Sequence, residues 1–362
     1  MPAIIREANG FEWRAFVRLF AAALIGLVAL LYAFTLALDP FGIRARPGHP
    51  PAPLMDINQR YMYPQRIRSG LFDGAIFGTS TVRLIDPQKL GPAFGAHVAN
   101  FGMNAATPWE QVQLADLFLR HVPEPKLMVF GLDHTWCAAD ITNPEKRFTF
   151  RSFPPWLYGE SRLAMLPQLF NLKSLEIAGR VLSNRLGIAR ARMRQDGYGV
   201  FTPPESLYNL AQARSHIWEG PPRRIEPEVP PHVLSEAERD ALRTPAVEWF
   251  DGVVNRLPAS TRLLVLFPPI HAVVQPVPGS RAAALDEVCK ERFAAVALRH
   301  GATIVDFRRP TAITTEDSNY WDRMHYRLGI ADQIVESIKA AAETGQDAPD
   351  GTYRTIANRT GL

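Results

Sequence analysis

The apolar residues of this chain fall into one long run and several short ones. From Leu19 to Leu38 the sequence reads LFAAALIGLVALLYAFTLAL, about twenty residues without a charge, the length that crosses a bilayer as a helix. An isolated span must satisfy its backbone polar groups internally, and only a helix does so. A cleaved leader would have a shorter apolar stretch ending in a small-x-small site. This one ends in Leu-Asp-Pro, so an uncleaved transmembrane anchor is expected over 19–38. Arg6, Arg14 and Arg18 precede it, and Arg44 and Arg46 come after it. That modest excess favours a single-pass inner-membrane protein with residues 1–18 in the cytoplasm and the main domain in the periplasm.

Residues 39–70 open with DPFGIRARPGHPPAPLMDINQR. Their Pro-rich, polar character predicts a turn-rich, extended stalk. Short continuous apolar runs come next, at 74–78 (GAIFG), 97–101 (HVANF), 126–132 (KLMVFGL), 262–267 (RLLVLF) and 303–307 (TIVDF). Each reads as a strand covered on both faces. Helical patterns lie at Trp109–Leu119, Arg281–Arg299 and Gly329–Ala342. Strand–helix alternation over 71–345 predicts an α/β domain with a parallel, doubly wound sheet. The span 140–258 breaks the rhythm with aromatic, Pro-rich loops and a basic helix around Lys173–Arg194, and reads as an insertion on the sheet. The polar tail over 346–362 is expected to be loose.

Charge and cysteine count narrow the chemistry. The 40 basic and 36 acidic residues are mixed along the chain, without the single basic stripe of a nucleic-acid binder, so no nucleic-acid partner is expected. Cys137 and Cys289 stand in no metal-ligand spacing. Two unpaired buried thiols are expected, a single disulfide in an oxidising compartment being the alternative. No P-loop, HExxH or GxGxxG motif occurs, so neither a cofactor nor a metal is expected. Lys173, Arg180, Arg185, Arg190, Arg192 and Arg194 read as a solvated helix face, or as one that meets lipid headgroups or an anionic polymer.

Ligands of open parallel sheets bind beyond the carboxyl ends of the strands, so the residues just past each strand are the place to look for chemistry. The first four runs lead into Gly78-Thr79-Ser80-Thr81, Asn100-Phe101-Gly102-Met103-Asn104, Asp133-His134-Thr135-Trp136 and Pro268-Pro269-Ile270-His271. Beyond the fifth, before the last helix, comes Asn319-Tyr320-Trp321-Asp322-Arg323-Met324-His325. Ser80 on a tight turn presents a hydroxyl that becomes a nucleophile only when a base takes its proton. His325 is a candidate base, and Asp322 can reach back to the other ring nitrogen and fix the tautomer. Backbone amides and an Asn amide near Ser80 would hold an oxyanion. Each residue has a plainer reading: Ser80 as a helix N-cap, Asp322 and His325 as a capping carboxylate and a surface imidazole. Their common position at one end of the sheet singles them out together. His134 and His271 read as pocket wall or as structural histidines. Trp136, Tyr320 and Trp321 read as core aromatics or a sugar-stacking rim.

The order GTS, N-x-G-x-N, a strand ending in GLD, and D-x-x-H before the final helix resembles the SGNH (GDSL-type) hydrolase superfamily. The likeness is greatest to its membrane-anchored bacterial branch, in which a transmembrane helix and a DPFG-like segment precede GTS or GSS. It covers 16–138 and 262–342 and leaves the insertion uncovered. The resemblance implies a flavodoxin-like three-layer fold and an esterase or O-acyltransferase that works on cell-envelope polymers. It implies Ser80 as nucleophile, His325 as base and Asp322 as its partner. The family's second-block Gly, an oxyanion donor, falls near Asn104–Ala105, and its third-block Asn falls at Asp133. The implied partners are an acylated glycan or lipid-linked substrate, inner-membrane lipid and a membrane acyltransferase. Two departures stand out. Thr79 replaces the usual Asp beside the nucleophile, and Asp133 replaces Asn, where a carboxylate would repel an oxyanion. Either Asn104 or Asn100 donates instead, or the Asp133 carboxyl is neutral, or the site is altered. Asp133-His134-Thr135-Trp136 also loosely resembles the D-x-H-W motif of alginate acetyltransferase relatives, although it stands after the serine.

The charge asymmetry makes a direct prediction about topology. A reporter active only outside the cytoplasm is expected to work when fused after Arg46 and to be silent when fused at residue 15; the reverse pattern would overturn the expected orientation.

Overall fold

The computed structural model describes residues 13–356. Arg6, with the rest of the segment before Trp13, and the end of the expected tail at 357–362 lie outside the described residues. Helix α1 (Trp13–Leu38) covers the long apolar run. Among the described residues it is the one helix long and apolar enough to cross a membrane, and only Thr35 and Leu38 near its C-terminal end are buried. Then come α2 (Gln59–Arg68), β1 (Gly74–Phe77), the short α3 (Pro87–Leu90), β2 (Val98–Asn100), α4 (Pro108–His121) and β3 (Leu127–Gly131). The next stretch holds α5 (Arg162–Met165), α6 (Leu172–Arg185), α7 (Leu210–Trp218), α8 (Glu236–Ala241) and α9 (Ala246–Val254). The chain ends on β4 (Arg262–Phe267), α10 (Arg281–Leu298), β5 (Thr303–Asp306), α11 (Leu328–Thr344) and β6 (Arg354–Thr355).

The six strands form one sheet in the order β2-β1-β3-β4-β5-β6. The first five are mutually parallel, and β6 runs antiparallel to β5. Because side chains alternate along a strand, each strand feeds two cores. Ala75, Phe77, Met128, Phe130, Leu263, Val265 and Phe267 point to one face, packed under α4, α9 and α10. Ile76, Leu127, Val129, Leu264, Leu266 and Val305 point to the other, packed under α11. Helices thus cover both faces, which is why the strands read as continuous apolar runs. Every expected strand lies inside its run. Helix α4 starts on a capping box, with Thr107 and Glu110 exchanging bonds at 3.2 and 3.0 Å and Pro108 at the first helical position.

Four expectations are corrected. The segment 39–70 is no extended stalk: Phe41, Ile43, Leu54 and Met55 are buried, and so is nearly every residue of α2. Its polar look misleads because its charges find partners far along the chain, Arg60 on Glu110 and Arg68 on the carbonyl of Leu157. The insertion ends before 258, since α9 is the helix that covers the sheet between β3 and β4. Its Phe250 packs against Phe130 and Phe293 at ring distances of 5.4 and 5.6 Å. The tail is ordered through Ile356: Tyr353 is buried, and the Arg354 guanidinium lies 2.9 Å from Asp306. Finally, Cys137 and Cys289 form a disulfide rather than two thiols. Strand neighbourhood, not sequence distance, joins them, because the turn after β3 and the helix after β4 leave adjacent strands. Trp136 and Tyr320 prove to be core aromatics, each fully buried.

The disulfide closes a loop of 152 residues, worth about 5 kcal/mol in the chain-entropy account. Denatured protein purified without reductant is therefore expected to take up no alkylating agent by mass spectrometry, and two equivalents after reduction. Two equivalents before reduction would show the thiols to be free.

Candidate functional site

The turn that carries Ser80 is set by close packing. A Cβ on Gly78, at the end of β1, would stand 2.7 Å from Val82 Cγ2 and 3.1 Å from the carbonyl oxygen of Gly131, so glycine is required where the chain leaves the sheet. Thr79 is extended, and Ser80 opens a single turn of 3₁₀ helix through Val82. Tyr326 ties this turn to the histidine segment by donating its hydroxyl to the Thr81 carbonyl. That segment folds back on itself: Tyr320 and Tyr326 pair as an antiparallel bridge, and the Trp321 amide donates to the His325 carbonyl at 2.8 Å.

Within it Asp322 uses its two oxygens differently. Oδ1 accepts the amides of Met324 and His325 at 2.7 and 2.9 Å, and Oδ2 lies 2.7 Å from His325 Nδ1. His325 Nε2 is in turn 2.9 Å from Ser80 Oγ. The carboxylate can only accept, so Nδ1 holds the proton and Nε2 is left to accept the serine hydroxyl. Burial by itself would raise the Asp322 carboxyl. The hydrogen bond and charge of His325, with the two amides, outweigh it and hold the group below its ordinary value. The three residues form the relay that a serine nucleophile requires.

The relay opens onto a groove of about 590 Å³ whose walls include Ala105, Ala106, Asp133, His134, Ile141, Phe148 and Met324. Ala105 has φ 51°, the left-handed region in which a Cβ is disfavoured and glycine is usual. The amides of Ser80 and Ala105 donate to no acceptor among the described residues. Asp133 caps the turn His134–Cys137, its Oδ1 accepting the Thr135 amide at 2.9 Å and hydroxyl at 2.5 Å. It faces the groove as an acceptor, whereas His134 is exposed on the wall.

Asn100 and His271 are not brought to the groove. Asn100 is fully committed inside the sheet edge: its amide donates to the carbonyls of Val82 and Ile85 at 2.8 and 2.9 Å, and its oxygen accepts Gly102 N at 2.9 Å. His271 is buried, with Nδ1 accepting the Val273 amide and Nε2 3.1 Å from Asp317. Burial pulls its imidazole below the ordinary value, against the opposite pull of Asp317. Asn104 stays close to the site and turns its side-chain oxygen to Arg83 Nη1 at 2.9 Å.

Three contributors escaped the sequence. Phe201, from the inserted stretch, meets the His325 ring edge-on at 5.2 Å, and the Arg83 guanidinium stacks over Phe201 at 4.7 Å. Arg60 reaches the Asn104 carbonyl at 3.1 Å from α2. None belongs to a motif, and Phe201 and Arg60 are distant in sequence from every residue they position. No group of three or more His, Cys, Asp or Glu side chains is placed to hold a metal among the described residues.

Compared with models of known protein families and with curated proteins, the sequence matches none significantly.

Asn100→Ala would strand the buried Ile85 carbonyl and Gly102 amide, at about 1 kcal/mol or more each, while the Val82 carbonyl keeps the Ile85 amide at 3.0 Å. A loss of about 2 kcal/mol in urea unfolding is expected. Near-unchanged stability would mean that the side chain is free for another role.

Proposed function

We propose that the protein is a membrane-anchored serine esterase or O-acyltransferase of the SGNH kind. Its domain lies outside the cytoplasm and acts on an acyl group of a cell-envelope glycan or lipid-linked polymer. The observation that carries this reading is the unbroken relay Ser80–His325–Asp322, with links of 2.9 and 2.7 Å, at an open groove. Further support comes from the strand order, since β2-β1-β3-β4-β5 is the order of flavodoxin-like sheets. The Cys137–Cys289 disulfide fits an oxidising compartment, and α1 has the length and apolarity to hold the domain at a membrane.

In this reading Ser80 Oγ attacks the ester carbonyl carbon while its proton passes to His325 Nε2. The unpaired amides of Ser80 and Ala105 receive the oxyanion. Collapse of the tetrahedral adduct breaks the acyl C–O bond, and His325 returns the proton to the departing alcohol. Water or a sugar hydroxyl then attacks the acyl-serine, giving its proton to His325, and Ser80 leaves with that proton restored. Hydrolase and transferase differ only in which hydroxyl intercepts the acyl group. Asp322 keeps the Nδ1 proton in place throughout and balances the imidazolium.

One observation favours a second reading: a catalytically inactive SGNH-like accessory protein that binds a glycan or lipid carrier for a membrane acyltransferase. Asp133 presents an accepting carboxylate on the groove wall, where an amide donor would serve an oxyanion better.

The full-length protein in detergent is expected to label with a fluorophosphonate at Ser80, and Ser80→Ala to lose the label. Asp322→Asn is expected to keep the fold while labelling up to about 10⁴-fold more slowly, or roughly 5 kcal/mol of barrier. A loss of about tenfold would leave a Ser–His pair at work. Folded wild-type protein that does not label points to the accessory reading, and an Asp322→Asn rate within a factor of about three ends the role of Asp322.

A further inference from the structure

Away from Ser80, the end of the molecule that continues α1 holds two recesses. The first, about 260 Å³, lies between α1 and the start of α6 and is lined by Leu31, Tyr32, Thr35, Leu169, Phe170 and Leu172 among others. The Tyr32 hydroxyl fixes its floor by donating to the Leu166 carbonyl at 2.9 Å. Its outer lip is apolar and open, with Phe170 59% and Leu172 85% exposed. The second recess, about 370 Å³, surrounds the C-terminal end of α1 and is lined by Leu38, Asp39, Arg44, Arg46, His49 and Arg185 among others. Arg44 pairs with Asp39 at 3.9 Å. Arg46 and Arg185 are exposed and form no ion pair among the described residues. Lys173 and Arg180, by contrast, are spent on Asp56.

Helix α6 links the two recesses. Leu172 begins it beside the apolar one, and Arg185 ends it beside the basic one. At about 1.5 Å per residue, Tyr32 stands roughly 9 Å along α1 from Leu38, inside the uncharged run that ends there. With α1 across a bilayer, a reading on which this inference rests, Phe170 and Leu172 fall at the depth of lipid acyl chains. Arg46 and Arg185 fall at the depth of the phosphates. An apolar slot under a basic collar has the polarity profile of a phospholipid with an anionic headgroup. We propose that anionic phospholipid fills this pair of recesses, seating the exposed Phe170–Leu172 lip in the bilayer beside α1 and fixing the tilt of the domain over the membrane. The domain then touches the bilayer through two elements rather than swinging on one.

The test uses the full chain with its disulfide intact and one added cysteine at a time, Leu27→Cys, Leu172→Cys or Val233→Cys. Each carries a nitroxide and is reconstituted in vesicles of phosphatidylcholine and phosphatidylglycerol. Relative accessibility to oxygen and to a polar nickel chelate reports depth. The Leu172→Cys label is expected to match Leu27→Cys in favouring oxygen, and Val233→Cys to favour nickel. A Leu172→Cys label as open to nickel as Val233→Cys, with Leu27→Cys still in lipid, overturns the embedded lip and leaves α1 standing. Nickel access at Leu27→Cys removes the spanning helix and this inference with it. For the collar, spin-labelled phosphatidylglycerol is expected to be retained at the protein about fivefold over phosphatidylcholine, and R46Q/R185Q to abolish that preference. Equal retention by the wild type overturns the basic collar.

Discussion

A fully buried ion pair joins the segment after α1 to the candidate site. Arg60 and Glu110 are both closed to solvent, where unpaired charges would cost several kcal/mol each. The structure meets that cost by using nearly every proton and lone pair. Arg60 Nε and Nη2 reach the two Glu110 oxygens at 2.8 and 2.5 Å, and Nη1 reaches the Asn104 carbonyl at 3.1 Å. Glu110 Oε2 also accepts the Thr107 amide at 3.0 Å, which starts α4. The Arg60 carbonyl in turn accepts the Tyr158 hydroxyl at 3.1 Å. Removing either partner would strand the other's charge, so α2, the loop before α4 and the segment around Tyr158 hold their places together.

This arrangement explains which parts of the fold could be read from the sequence. Strands β1 to β5 announce themselves because burial on both faces leaves their interiors apolar, with polar residues such as Asn100, Arg262 and Asp306 only at their ends. Helices α4, α10 and α11 announce themselves through ordinary periodicity and caps such as Thr107 and Ser280. Helix α2 reads as QRYMYPQRIR, a polar string with a proline in it. Its place in the core depends on Glu110 and the Leu157 carbonyl, and no local window contains either. β6 is two residues long, and its pairing depends on Arg354 meeting Asp306 from the far side of α11.

The site divides along the same line. Ser80, Asp322 and His325 were legible because each lies just past the sheet, where parallel strands leave side chains free for ligands. Asn100 sits at the same edge and has the right chemistry, yet the carbonyls of Val82 and Ile85 claim its amide. Position and residue type nominate a group, and its existing hydrogen bonds decide whether it is free. Phe201 and Arg83 show the converse: they carry no motif, yet Phe201 meets the imidazole edge-on at 5.2 Å and Arg83 stacks on Phe201 at 4.7 Å.

Hydrogen bonds already in place also bear on how an oxyanion could be held without an Asn at position 133. The Ala105 N–H and the Asn104 carbonyl belong to one planar peptide group. Arg60 donates to that carbonyl at 3.1 Å, and a cation at the oxygen end polarises the amide so that its N–H becomes a stronger donor. It also holds the peptide plane beside Ala105, whose left-handed backbone, φ 51°, is strained for a residue with a Cβ. The buried pair that orders α2 therefore also polarises the amide of Ala105, a residue that lines the same groove as Ser80. In the proposed esterase, a guanidinium that supports the backbone donor from behind makes a side-chain donor at 133 less needed.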